Sequence, residues 1–228
     1  MEQIYRRKNK KRVAERNRRL AVILLCVLAI AVLMWAKNNR TTANKVERET
    51  VSDEENPIPR PELDVQLLTP NEYSRPGIAT KKIKDIVIHY TANPGTSAQN
   101  NRDYFEGLMD SHLTKASSHF IVGIEGEIIQ CIPTSEYSYA SNERNKDTVS
   151  IETCFINEDG SYEQETYDSL VHLTAFLVVK FGLDTDNVIR HYDITGKNCP
   201  KYFVENEKAW KKFKKDVRSY INKYIEDY

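Results

Sequence analysis

KDIVIHY (residues 84–90) is the stretch on which the fold turns. Three β-branched aliphatic residues in unbroken succession, closed by His89, read as a strand buried in a sheet and not as a turn of helix. Working outward, a Pro94-Gly95 turn precedes a helical pattern over 98–109. Two short strands, 118–122 and 127–131, flank the turn at 123–126. A further strand is expected at VSIETCF (149–155). A helix over 164–181 carries Leu170, Leu173, Leu177 and Phe181 at helical spacing and stops at Gly182. A last helix over 205–227 shows Trp210, Phe213, Val217, Tyr220 and Tyr224 at steps of three or four, a stripe suited to core packing. Strands and helices interleave, so the fold class is α/β: a mixed central β-sheet flanked by helices, occupying residues 81–228.

Upstream the chain changes character. Residues 1–19 carry nine Lys or Arg against Glu2 and Glu15, although the whole chain balances 33 basic against 33 acidic residues. A basic head could hold nucleic acid, but the next segment argues for a membrane. LAVILLCVLAIAVLMWA (20–36) has no charge and spans about 25 Å as a helix. Trp35 and the flanking Arg19 and Lys37 suit the two interfaces of a bilayer. A cleaved secretory signal shares this outline, but the apolar run is long and ends in bulky Leu33, Met34 and Trp35. The expectation is a single-pass anchor at 20–36 in the cell membrane, a cytoplasmic head at 1–19 and everything beyond Lys37 on the extracytoplasmic side, with no nucleic-acid partner. Five of the eight prolines and the acidic run Asp53, Glu54, Glu55 lie in 37–80, which reads as a flexible linker.

Cys26 falls in the apolar run, leaving Cys131, Cys154 and Cys199, an odd number. Cys131 and Cys154 sit on expected strands as small core residues that could bridge but need not. Cys199 belongs to RHYDITGKNCP (190–200), eight residues after His191. That segment reads as part of a metal site, as a thiol nucleophile with its base, or as a polar loop. His89 at the end of its strand favours the first, because two imidazoles and a thiolate suit zinc with one coordination position left for water. Glu152 lies within an apolar strand on the face of Ser150 and Cys154, where a carboxylate is either solvated or a base beside a metal. Lys197 reads on its own as a loop lysine, and His112 and His172 as structural or surface residues. Asn142 and Arg144 lie in a polar loop.

The segments IVIHYTANPG (86–95), SSHFIVG (117–123), GEIIQCIP (126–133), VSIETC (149–154) and RHYDITGKNCP (190–200) resemble the type 2 zinc N-acetylmuramoyl-L-alanine amidases. These are relatives of phage amidase lysozymes and of animal peptidoglycan-recognition proteins. The resemblance covers about residues 83–210, with five blocks in order and in register. It implies the peptidoglycan-recognition-like amidase fold and a Zn2+ held by His89, His191 and Cys199. It further implies Glu152 as the proton-transferring carboxylate and Lys197 as the cation facing the developing oxyanion. His119 is expected to line the cleft and contact substrate, with a satisfied buried histidine as the alternative. Ser118 stands where some relatives have a tyrosine, a departure from the family pattern.

The implied activity is hydrolysis of the amide between N-acetylmuramic acid and L-alanine of peptidoglycan by a membrane-anchored monomer. Two rivals follow from the same residues: a peptidoglycan-binding receptor without turnover, and a thiol peptidase with Cys199 as nucleophile and His191 as base. A thiolate committed to zinc cannot also attack, so the metal and thiol readings exclude each other.

Overall fold

The computed structural model describes residues 50–226 and 228. The head at 1–19, the apolar run at 20–36 and the linker up to residue 49 lie outside the described residues. Among the described residues, no helix is long and apolar enough to cross a membrane.

Six strands form one sheet in the order β1-β4-β3-β5-β2-β6. They are β1 (Asp64–Val65), β2 (Asp85–Ile88), β3 (Phe120–Val122), β4 (Ile128–Gln130), β5 (Thr148–Thr153) and β6 (Val188–Arg190). All neighbours pair in parallel except β3 and β4, whose short connection permits an antiparallel hairpin. The sheet is therefore mixed, as the interleaved pattern predicts.

Side-chain alternation divides the core into two layers. Phe120, Val122, Ile128, Val149 and Ile151 face one way, onto α2 (Gln164–Lys180) and α5 (Glu207–Ile221). Ile121 and Ile129, one residue out of phase, face the other way onto Phe105 and Leu108 of α1 (Ala98–Ser111). The expected stripes do this packing: Leu170, Leu173 and Leu177 of α2 meet Trp210, Phe213 and Val217 of α5, all buried. Ser97 caps α1 in a capping box with Asn100, satisfying donors that the first turn leaves free.

Two sequence expectations require correction. The last helix is not continuous over 205–227: α4 (Lys201–Glu205) and α5 are separated at Asn206, whose side chain accepts from the Ala209 N–H and caps the second helix. The apolar stripe crosses that break because Phe203 of α4 stacks on Phe213 and packs against Trp210.

The larger correction concerns the linker. From residue 51 to 80 the chain is built into the domain, not flexible: Ile58 and Leu68 are fully buried, and β1 adds to the sheet beside β4. Val51 N–H donates to the Lys180 carbonyl, Asn56 Nδ2 donates to the Phe176 carbonyl, and a ring nitrogen of His172 meets the Pro59 carbonyl at 2.7 Å. Arg75 makes a bidentate pair with Glu136 at 2.8 and 2.9 Å and donates to the Leu68 carbonyl. Composition misleads here because two isolated apolar anchors create no periodicity. Each still contributes about 1.5–3 kcal/mol on burial, and proline reduces the entropy lost when the segment is fixed.

Candidate metal centre

The sheet register delivers the site. Ile88 of β2 pairs with Ile151 of β5 and with Arg190 of β6, so the next step along all three strands is Glu152, His89 and His191, side by side. Val87, Ser150 and Ile189 occupy the row two residues earlier, which puts the three functional side chains on one face by alternation. This row lies at the carboxyl edge of parallel strands, where α/β sheets open their crevices. His89 is pinned there by its own N–H to the Ile151 carbonyl and by Thr153 Oγ1, which donates to the His89 carbonyl at 2.7 Å.

Cys199 arrives from a short loop. His191 opens the one-and-a-half-turn helix α3 (His191–Thr195), whose first turn is fixed by Arg190 pairing with Asp193. Gly196 then takes a left-handed conformation, φ 76°, that a side chain would strain, and its N–H closes on the Tyr192 carbonyl. The chain folds back until Tyr192 N–H donates to the Cys199 carbonyl at 2.9 Å, so the thiol comes to rest beside the imidazoles.

The ligand atoms of His89, His191 and Cys199 all lie within 4.8 Å of one another, and the three residues are buried. Cys199 Sγ is 3.8 Å from His89 Nδ1, and the two imidazole centroids are 4.7 Å apart. His191 Nε2 and Glu152 Oε2 are enclosed without any hydrogen-bond partner, a costly state unless something further completes the site.

The electrostatics agree with a cation site. Burial, then the neighbouring His191 and Lys197, holds the His89 imidazole well below its usual range, so it is neutral and able to donate a lone pair. Burial and Lys197 do the same to His191. Burial, then Glu152, pushes the Cys199 thiol up to about 12. Burial lifts Glu152 to about 8, opposed by Lys197. A divalent ion is the charge that would reverse the last two shifts. Two imidazoles and a thiol at this spacing fit such an ion. They do not fit a free cysteine nucleophile, which needs a depressed pKa, and the thiol-peptidase reading loses its thiolate.

Residues 79–202 match the family profile described as N-acetylmuramoyl-L-alanine amidase. The chain belongs to this amidase family. It is 37% identical over 164 residues to the N-acetylmuramoyl-L-alanine amidase CwlL of Bacillus licheniformis, covering 66% of this chain and 45% of that one. It is 35% identical over 170 residues to the amidase BlyA of Bacillus subtilis (strain 168), covering 65% and 45%. The chain thus spans less than half the length of the curated relatives it matches. Among solved structures, a mutant endolysin from Bacillus subtilis matches with a TM-score of 0.58 at 26% identity, covering 69% of this chain and 99% of that one.

Within this amidase domain the structure gathers five of the six expected site residues. His89, His191 and Cys199 converge, Glu152 stands beside His89, and Lys197 lies on the exposed loop close enough to bias all four. His119 is the exception, and its expected substrate contact is corrected. It has no exposed surface, and both ring nitrogens are occupied: Nδ1 accepts from the Ser150 N–H at 3.0 Å and Nε2 donates to the Glu136 carbonyl at 2.9 Å. One residue ahead of β3 and ringed by Ser118, Ser138 and Ser150, it ties that strand to β5 through side-chain hydrogen bonds.

Cys131 and Cys154 are free thiols in one buried cluster. His112 stacks on Tyr73, and His172 stacks on Tyr220. Arg144 is not a free loop residue: it pairs with Asp147 and with Asp85. Sequence reasoning missed Thr91, whose hydroxyl is buried without a partner, the buried Tyr162, and Ser141 beside His89. No spacing signal marks them, because each is brought in by a loop.

Proposed function

We propose that the chain is a zinc-dependent N-acetylmuramoyl-L-alanine amidase that hydrolyses the amide between N-acetylmuramic acid and L-alanine of peptidoglycan. The observation that carries this reading is the convergence of His89, His191 and Cys199 with an unpaired carboxylate, Glu152, in the same row of the sheet. His89, His191 and Cys199 would hold the zinc. When bound, zinc supplies Lewis acidity, which polarises a carbonyl and acidifies water at the position the protein leaves open.

The chain's own groups account for the rest. Glu152, unpaired at Oε2 and aligned with the ligand row, takes a proton from the attacking water and delivers it to the leaving amine nitrogen. Lys197 brings a positive charge from the exposed loop to face the oxyanion that develops on the scissile carbonyl. The buried imidazoles are held neutral, so their lone pairs remain available to the cation and they do not compete for that proton.

The anchor is part of the same proposal: residues 20–36 cross the cell membrane once, the basic head stays cytoplasmic, and the domain acts outside as a monomer on the wall. Its support is the uncharged run behind a cluster of nine basic residues. The test is incubation of the chain with purified peptidoglycan in the presence of zinc. New N-terminal alanine is the expected product. Binding without its release would overturn hydrolysis and leave a receptor.

A further inference from the structure

The two ring nitrogens of His89 face different neighbours, and this fixes which one is free for a metal. Nδ1 looks toward Cys199 Sγ at 3.8 Å. A tetrahedral zinc with bonds of about 2.3 Å to sulfur and about 2.0 Å to nitrogen sets those atoms about 3.5 Å apart, so Nδ1 and Sγ already stand close to ligand spacing. Nε2 points away, to Ser141 Oγ at 3.5 Å.

We infer that Ser141 is a positioning residue for His89: its hydroxyl accepts the Nε2 proton, locks the ring in the Nε2–H tautomer and leaves Nδ1 as the metal ligand. This rests on the zinc reading above and adds to it a residue outside the ligand set.

The serine is held for the task. It is 1% exposed, its N–H donates to Asn145 Oδ1 at 2.6 Å, and its carbonyl accepts from the Arg144 N–H at 2.9 Å. Both backbone groups are thus spent on the turn that opens Asn142–Asp147, a 3-10 segment. Arg144 in that segment reaches Asp85, the first residue of β2, at 2.5 Å, while His89 follows the last residue of the same strand. Strand and serine are therefore cross-braced by an ion pair at one end and by the imidazole at the other. A ligating imidazole whose second N–H is left unpaired in a buried site would lose both orientation and basicity.

The test uses the full chain, wild type and Ser141→Ala, freed of metal with chelator. Zinc affinity is read by competition with a chromophoric chelator, the metal-free fold by thermal melting, and the His89 tautomer of the zinc-loaded protein by imidazole nitrogen NMR. The expected result is zinc binding weakened about tenfold or more, with metal-free melting nearly unchanged and Nδ1 as the metal-bound nitrogen in wild type. Zinc affinity within about twofold of wild type overturns the inference. So does metal bound at Nε2, or a loss confined to the melting temperature. Wild type that takes up no zinc overturns the functional reading itself, which separates the two failures.

Discussion

Glu152→Gln in the metal-free protein isolates the energetic consequence of placing a carboxyl in the ligand row. Burial lifts this group from an ordinary 4.5 to about 8. Between about pH 5 and about pH 7.5 the folded chain keeps the proton while the unfolded chain gives it up, so the native state holds close to one proton more. Stability then falls as pH rises, by about 1.4 kcal/mol for each pH unit, and the decline flattens above the folded pKa. Partial titration at both ends leaves a total of about 3 kcal/mol across the interval. A neutral amide of nearly the same shape removes that slope. The stability gained by Glu152→Gln should accordingly be about 3 kcal/mol larger at pH 7.5 than at pH 5. Urea unfolding in the presence of chelator, followed by Trp210 fluorescence, reads both values, and groups common to the two proteins cancel in the comparison. A gain that does not change with pH would refute the argument, because it would mean that the carboxyl ionises as easily folded as unfolded.

Cys199→Ala should abolish most of the zinc content, about one ion per chain in wild type, while circular dichroism of the metal-free protein stays unchanged; metal analysis of the two purified proteins decides it. Ile58→Ala should cost about 2–5 kcal/mol in chemical unfolding because the side chain is fully buried, whereas a flexible linker would register nothing. His119→Ala should lower stability by about 2–5 kcal/mol and leave KM for peptidoglycan fragments unchanged; a raised KM at unchanged stability would restore the substrate-contact role.

The strands and helices with dense patterns were legible. KDIVIHY, VSIETCF and the leucine stripe of 164–181 each carry enough apolar residues at one period for local chemistry to decide their form. The two edge strands were not. Strand β6 is three residues long, and β1 only two, so neither presents a period, and both exist because a neighbouring strand offers hydrogen bonds. The break at Asn206 was hidden because the aromatic stripe continues across it on two helices.

The candidate site divides along the same line. Its ligand types, the carboxylate and their order along the chain are properties of the sequence, because donor chemistry belongs to each residue and needs no fold to be named. That His89, Glu152 and His191 stand in one row is a property of register, which depends on pairing between residues 63 or more positions apart and is settled only when the sheet closes. The fate of His119, of Ser141 and of residues 51–80 was likewise decided in three dimensions, since burial and hydrogen-bond partners there come from distant segments. Whether a polar side chain meets solvent, a serine or a metal is a fact about its neighbours, and tertiary structure alone supplies them.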